Sequence, residues 1–200
     1  MKRFSWALVA VLFVFSQWVY AESSPVAMLE QIAQQIISTL KQNKGNLKNN
    51  HQIIHQAVQR YLLPKVDVSG MSRSVLGRQA WNAATPAERS EFSQAFTQLV
   101  IRTYATPLAE YTDETVKFLP QRAAATGQFT RINSVIIRSN GQNIPLSYSL
   151  VAKNGQWKIY DLSVEGVSLL QSFHNQFGQA LKNSSIHELI AQMNKNKKVS

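Results

Sequence analysis

His51 and His55 stand four residues apart in a stretch of helical periodicity, a spacing that puts two imidazoles on one helix face for a zinc ion. Gln52 occupies the position where a zincin-type motif carries its glutamate, and His174 and His187 lie far along the chain. With no cysteine and no clustered carboxylate to complete a ligand set, these read as surface histidines. Asp161 and Glu165 are the second candidates. They bracket the end of an apolar stretch, and two carboxylates beside an apolar cavity serve as acid and base when their environments separate their pKa values. The competing reading is structural: Asp161 shares the strand phase of Trp157 and Ile159, and Glu165 sits close enough to the following helix to satisfy its free amides. No Ser-His-Asp arrangement, glycine-rich phosphate loop or nucleotide motif is visible, so an enzyme would lack a nucleophile.

Both carboxylates belong to Trp157–Leu170, WKIYDLSVEGVSLL, which changes period partway through. Trp157 and Ile159 occupy one alternation phase and Tyr160, Leu162 and Val164 the other, which predicts a strand covered on both sides. Glu165-Gly166 breaks it, and Val167, Leu170, Phe173 and Phe177 continue at helical steps. Upstream, Ser24-Pro25 predicts the start of a helix carrying Met28, Leu29, Ile32, Ile36, Ile37 and Leu40. A second helix spans about Leu47 to Leu63, where Pro64 stops it, and a short capped one runs from Ser69 to Leu76 with Gly77 left-handed at its end. Thr85-Pro86-Ala87-Glu88 is a capping box with proline at the first helical position, opening a long helix that Pro107 should kink.

Beyond that helix, Thr115–Leu119, Phe129–Arg138, Ile144–Ala152 and Gln156–Val164 read as four strands. Asn140-Gly141 and Asn154-Gly155 mark the hairpin turns. Ser185–Glu188 caps a last helix, and Lys195–Lys198 is a basic, solvated end. Helices, four antiparallel strands and helices again make an α+β layout, with one sheet and helices over one of its faces. Such an arrangement encloses a volume, and periodicity does not say whether side chains fill it.

Composition narrows the function classes. The 200 residues are 44% hydrophobic and 16% charged, as expected of a globular chain with ample core. Lys2-Arg3, the apolar run Trp6–Phe15 and Val19-Tyr20-Ala21 together form a signal peptide expected to be cleaved after Ala21, leaving residues 22–200 as one domain outside the cytoplasm. The run is short of the ~20 residues a membrane span needs. Zero cysteines exclude thiol catalysis, CxxC redox chemistry and lipoprotein attachment. Loss of Lys2 and Arg3 lowers the formal charge from +10 to +8, which in an exported chain points to anionic membranes or acidic proteins and away from nucleic acid.

The chain resembles the MlaC family of periplasmic phospholipid-binding proteins, auxiliary components of an ABC transport system. The resemblance rests on Val75-Leu76-Gly77-Arg78, Ala84-Thr85-Pro86 with Arg89, Arg102-Thr103-Tyr104, Trp157-Lys158-Ile159-Tyr160-Asp161 and Glu165-Gly166-Val167-Ser168-Leu169, in this order, over about Leu62 to Met193. Ser185 before Ile186 and Lys65 depart from the family pattern, and neither touches the VEGVS corner. The resemblance implies an NTF2-like fold enclosing a hydrophobic cavity for phospholipid acyl chains, with no cofactor and no catalytic residue. It implies partners as well: glycerophospholipid, an outer-membrane lipoprotein–porin complex, an inner-membrane ABC transporter and, transiently, the membrane. Overlap of the apolar stripes with these motifs selects Leu76, Leu99, Tyr104, Leu108, Leu146 and Tyr148 as acyl-chain contacts. Leu150, Tyr160, Leu162, Val164, Val167 and Leu170 complete the expected set. The alternative on the same fold is an enzyme acting on a small apolar substrate through Asp161 or Glu165.

Overall fold

The computed structural model describes residues 24–121 and 127–195, so the expected cleavage after Ala21 lies outside the described residues. Helix α1, Pro25–Gln42, opens on its proline without a side-chain cap from Ser24 and turns Met28, Leu29, Ile32 and Leu40 inward. Helix α2 is shorter than its periodicity suggests, Gln52–Ala57, because the backbone widens into a π-helical turn at Val58–Leu62 and then tightens into a 3₁₀ turn at Leu63–Lys65. Pro64 lacks an amide hydrogen, so the chain leaves helical geometry around it. Helix α3, Val68–Leu76, is capped by Asp67, whose carboxylate accepts from the Gly70 amide. Gly77 (φ 82°, ψ 156°) is extended with positive φ instead of left-handed helical, and it starts helix α4, Arg78–Ala83.

Helix α5, Pro86–Ala109, begins with the expected capping box: Thr85 Oγ1 accepts from the Glu88 amide while the Glu88 carboxylate accepts from the Thr85 amide. Pro107 falls in its last turn. Helices α6, Leu169–Ala180, and α7, Ile186–Lys195, close the chain, α7 with its own Ser185–Glu188 box.

The sheet is antiparallel throughout, in the order β1 (Thr115–Phe118), β2 (Phe129–Ile137), β3 (Asn143–Lys153), β4 (Gln156–Val164) and β5 (Val167–Ser168). The α+β class stands, but with five strands instead of four. Glu165 (φ 51°) and Gly166 (φ 83°) form a two-residue hairpin turn instead of a strand break, so Val167 pairs with Val164 before α6 begins.

The second correction is a bulge. Ser149 pairs with Asp161 and Leu150 with Ile159, leaving Tyr160 without a partner. The extra residue switches the phase of β4, so Trp157, Ile159, Leu162 and Val164 all face the same way as Leu146, Tyr148 and Leu150. The two apolar phases of this strand therefore serve one face, not two, and Asp161 parts from Trp157 and Ile159.

The buried side chains form three separate clusters where a domain of this size ordinarily has one. One joins α3, α5, α6 and α7 around Phe92, Phe96, Phe173 and Phe177. A second sets α1 against the sheet through Leu29, Ile32, Ile132, Leu150, Trp157 and Ile159. A third packs the end of α1 on α2 and on the end of α5 through Leu40, Ile54 and Ala105.

Candidate functional site

The space the three clusters surround is a cavity of about 320 Å³. Its floor is the inner face of the sheet, with Val116, Ile136, Leu146, Tyr148, Ile159 and Leu162. Its walls are α1 (Leu29, Ile32, Ile36, Ile37), the π-helical turn (Val58, Leu62) and α5 (Phe96, Val100, Ile101, Leu108). Ile36, Leu62, Leu108, Tyr148 and Leu162, from α1, the π-helical turn, α5 and the sheet, all line this space and yet remain half-buried, as side chains do that border a gap instead of a packed interface.

Among the lining residues only Thr97, Tyr111, Glu114 and Tyr148 carry polar side-chain groups, and the wall they share is almost wholly apolar. Burial pushes the Tyr148 phenol above its usual pKa, so it is neutral at physiological pH. Burial, reinforced by Asp113 and Glu114, does the same to Tyr111. Glu114 is the one charged residue of the lining. Its carboxylate accepts from the Thr112 amide at 2.6 Å and lies 3.6 Å from Arg138 Nε, so its charge is neutralised at the rim. A wall of this kind offers dispersion and dehydration to an apolar guest and no group poised to break a bond.

A cleft of about 600 Å³ lies beyond Leu169, which lines both spaces. Its other walls include Leu99, Tyr104, Val164, Val167 and Phe173. A larger groove, about 1300 Å³, runs between α5 and α7, but Arg89, Glu91, Gln94, Gln98 and His187 bring charged and polar side chains into its lining, which the smaller cavity almost wholly lacks. Size would favour that groove, and chemistry favours the smaller cavity.

The expected contact residues therefore divide into thirds. Leu108, Leu146, Tyr148 and Leu162 line the cavity. Leu99, Tyr104, Val164 and Val167 line the adjoining cleft. Leu76 and Leu170 pack in the phenylalanine cluster, Leu150 is fully buried beside Trp157, and Tyr160 is turned to the other side of the sheet by the bulge. The α1 wall was missing from the expected set, although its stripe of six apolar positions, wider than a single packing contact needs, carried the signal.

Asp161 and Glu165 do not meet over a shared cavity. Asp161 accepts from the amides of Leu162 and Leu170 and from the hydroxyl of Ser168, which is itself the N-cap of α6 and accepts from the Gln171 amide, so Ser168 and Asp161, not Glu165, satisfy the free amides of α6. Glu165 is exposed in its hairpin turn at the cleft. His174 Nδ1 lies within hydrogen-bond distance of the Ser74 and Val75 carbonyl oxygens, and no group of three metal-ligating side chains occurs among the described residues. No helix of the described residues is long and apolar enough to cross a membrane.

The family model for MlaC protein matches residues 30–195, which span every wall of the cavity except the first residues of α1. The chain belongs to the MlaC family. Among proteins it is similar to, the toluene tolerance protein ttg2D of Pseudomonas putida is 26% identical over 175 residues, 88% of this chain and 81% of that one. The intermembrane phospholipid transport system binding protein MlaC of Haemophilus influenzae is 27% identical over 188 residues, covering 92% of this chain and 87% of its own. A phospholipid-binding protein from Ralstonia solanacearum, solved in complex with a phospholipid, superposes with a TM-score of 0.79 at 26% identity, over 86% of this chain and 96% of that one. The MlaC fold thus accounts for the helices and the five-stranded sheet together.

Proposed function

We propose that this chain is a phospholipid carrier that shields acyl chains in the cavity between α1, α5 and the inner sheet face. The observation that carries the reading is the wall itself: large apolar side chains from α1, the π-helical turn, α5 and strands β1 to β4 converge on a space they do not fill, and the one charged residue of the lining, Glu114, lies 3.6 Å from Arg138 Nε. Leaving two acyl chains of ~14 methylenes in water costs roughly 20 kcal/mol at ~0.8 kcal/mol per methylene, so transit without a carrier is negligible. A pocket that imitates the bilayer interior makes transfer nearly neutral, and the partners can then set direction.

Methylenes are about the size of a water molecule, roughly 30 Å³, so the cavity holds on the order of ten of them. A diacyl lipid therefore needs the walls to part or the cleft beyond Leu169 to join in. Leu108, Leu146, Tyr148 and Leu162 contact the chains in the cavity, and Leu99, Tyr104, Val164 and Val167 do so in the cleft. The reading puts the mature chain in the periplasm, with cleavage after Ala21, and the signal-like residues Lys2 to Ala21 support it. There it ferries glycerophospholipid between an outer-membrane lipoprotein–porin complex and an inner-membrane ABC transporter, supporting lipid asymmetry of the outer membrane. The name of the Haemophilus influenzae relative and the basic surface support this route.

Native mass spectrometry of the protein purified from cells, with extraction and identification of the released lipid, tests the reading. A stoichiometric glycerophospholipid is expected, lost in Leu162→Glu while the fold persists. A mass with no lipid after incubation with phospholipid vesicles would overturn it.

A further inference from the structure

The sheet has a second face, which α1 and α5 leave uncovered. Strand register places Lys117, Phe129, Arg131, Val135 and Ile137 on the side opposite Ile132 and Leu146, and Leu119 continues the same phase through its amide bond to the Asn133 carbonyl. Of the four large hydrophobic residues exposed among the described residues, three are here: Phe129 at 61%, Leu119 at 39% and Ile137 at 38%. Tyr160, thrown outward by the bulge in β4, meets Phe129 edge-on at 5.8 Å. Large apolar side chains left in water on one sheet face mark an interaction surface.

The charges on this face are nearly all positive. Lys117 and Arg131 are exposed and have no ion-pair partner among the described residues. Lys158 shares the side and donates to the Pro64 carbonyl. Asp161 is the one acidic residue of the described strands in register with the face, and its carboxylate accepts from the Leu162 and Leu170 amides and from Ser168 Oγ. None of the three hollows is lined by Lys117, Leu119, Phe129, Arg131, Ile137 or Tyr160. A surface that alternates basic and apolar side chains, and that among the described residues adds nothing to these hollows, suits a fluid anionic surface that conforms to it.

We propose that the outer face of the sheet is a docking surface for an anionic phospholipid bilayer. Phe129, Tyr160, Leu119 and Ile137 reach into the interfacial zone while Lys117 and Arg131 pair with lipid phosphates. The inference rests on the carrier reading and extends it, assigning bilayer contact to a face that the cargo does not use.

Vesicle co-sedimentation of the purified protein tests it, using phosphatidylglycerol/phosphatidylethanolamine vesicles against vesicles of phosphatidylcholine alone, with thermal unfolding and cargo occupancy by native mass spectrometry measured in parallel. The expected result is binding to the anionic vesicles, little to the zwitterionic ones, and a loss of about ten-fold or more in K117E/R131E, since each basic residue near such a surface is worth a several-fold change in partitioning. Phe129→Ser should lower binding several-fold and leave unfolding and cargo unchanged. Equal binding to both vesicle types, or undiminished binding in both variants, overturns the proposal. So does finding that the face instead holds two copies of the chain together, or a soluble acidic protein, without vesicle binding. Absence of cargo with vesicle binding intact would strike the carrier reading and leave the docking face standing.

Discussion

The phenylalanine cluster and the cavity are built from the same class of side chain and share α5, yet one is filled and the other is not. In the cluster, Phe92 packs edge-on against Phe177 at 5.8 Å, and Phe96 packs edge-on against Phe173 at 5.3 Å, so rings from two helices interlock. In the cavity, aliphatic residues of α1, the π-helical turn and the sheet face one another across a gap. Rings reach across a helix interface and close it, whereas Ile, Leu and Val extend too little once the backbones are held apart. Phe96 belongs to both regions, so α5 is the partition between a rigid frame and a deformable vessel.

The sharpest way to break this comparison is to make matched deletions on its two sides. Phe92→Ala, at a fully buried position, should cost about 3–5 kcal/mol in chemical denaturation. Ile36→Ala, already half-buried at the cavity, should cost well under half as much. Equal losses would mean that the cavity is as tightly packed as the cluster. Filling is the converse experiment: Ile36→Trp should change stability by no more than about 1 kcal/mol while abolishing lipid retention in native mass spectrometry. Retained lipid would show that the acyl chains lie elsewhere.

Asp161→Asn tests the frame where β4 meets α6. The Leu170 amide would then donate to a neutral amide oxygen, a weaker acceptor than the carboxylate, so the change should cost about 1 kcal/mol and leave cargo untouched, whereas loss of a turnover would revive the catalytic reading.

The smallest effect is a pH dependence. Backbone and side-chain hydrogen bonds from Thr85 hold the Glu88 carboxyl below its ordinary value, and those from Ser185 do the same for Glu188. A depressed pKa means the contribution is complete above the unfolded-state value and fades as pH falls through the folded one. Stability of the frame should therefore decline slightly in the acid range, and Glu88→Gln with Glu188→Gln should flatten that slope in pH-dependent thermal melts.

Much of the frame could be read from local signals because its causes are local. The Thr85–Glu88 and Ser185–Glu188 boxes satisfy amides three residues away, and Asn154 and Gly155, both at positive φ, form the turn their types favour. The site was harder to read. A single extra residue at Tyr160 reversed which side chains face inward, and no periodicity announces a bulge, because it is set by pairing with β3. Tyr160 was thereby lost to the cavity, Ile159 gained, and the free amides of α6 fell to Ser168 and Asp161 instead of Glu165.

By itself the sequence determined the order of the helices, the Thr85 and Ser185 capping boxes, the hairpin turns at Asn140-Gly141 and Asn154-Gly155, the α+β order, the family and the apolar supply. Each of these depends on residues close in the chain or on a pattern of residue types. Only the tertiary structure decided that three clusters remain apart, that α1 walls the cavity and that Phe129 faces outward. Those outcomes depend on distances between elements far apart in the chain, and a row of leucines and isoleucines is the same row whether the facing helix touches it or stands one side chain further away.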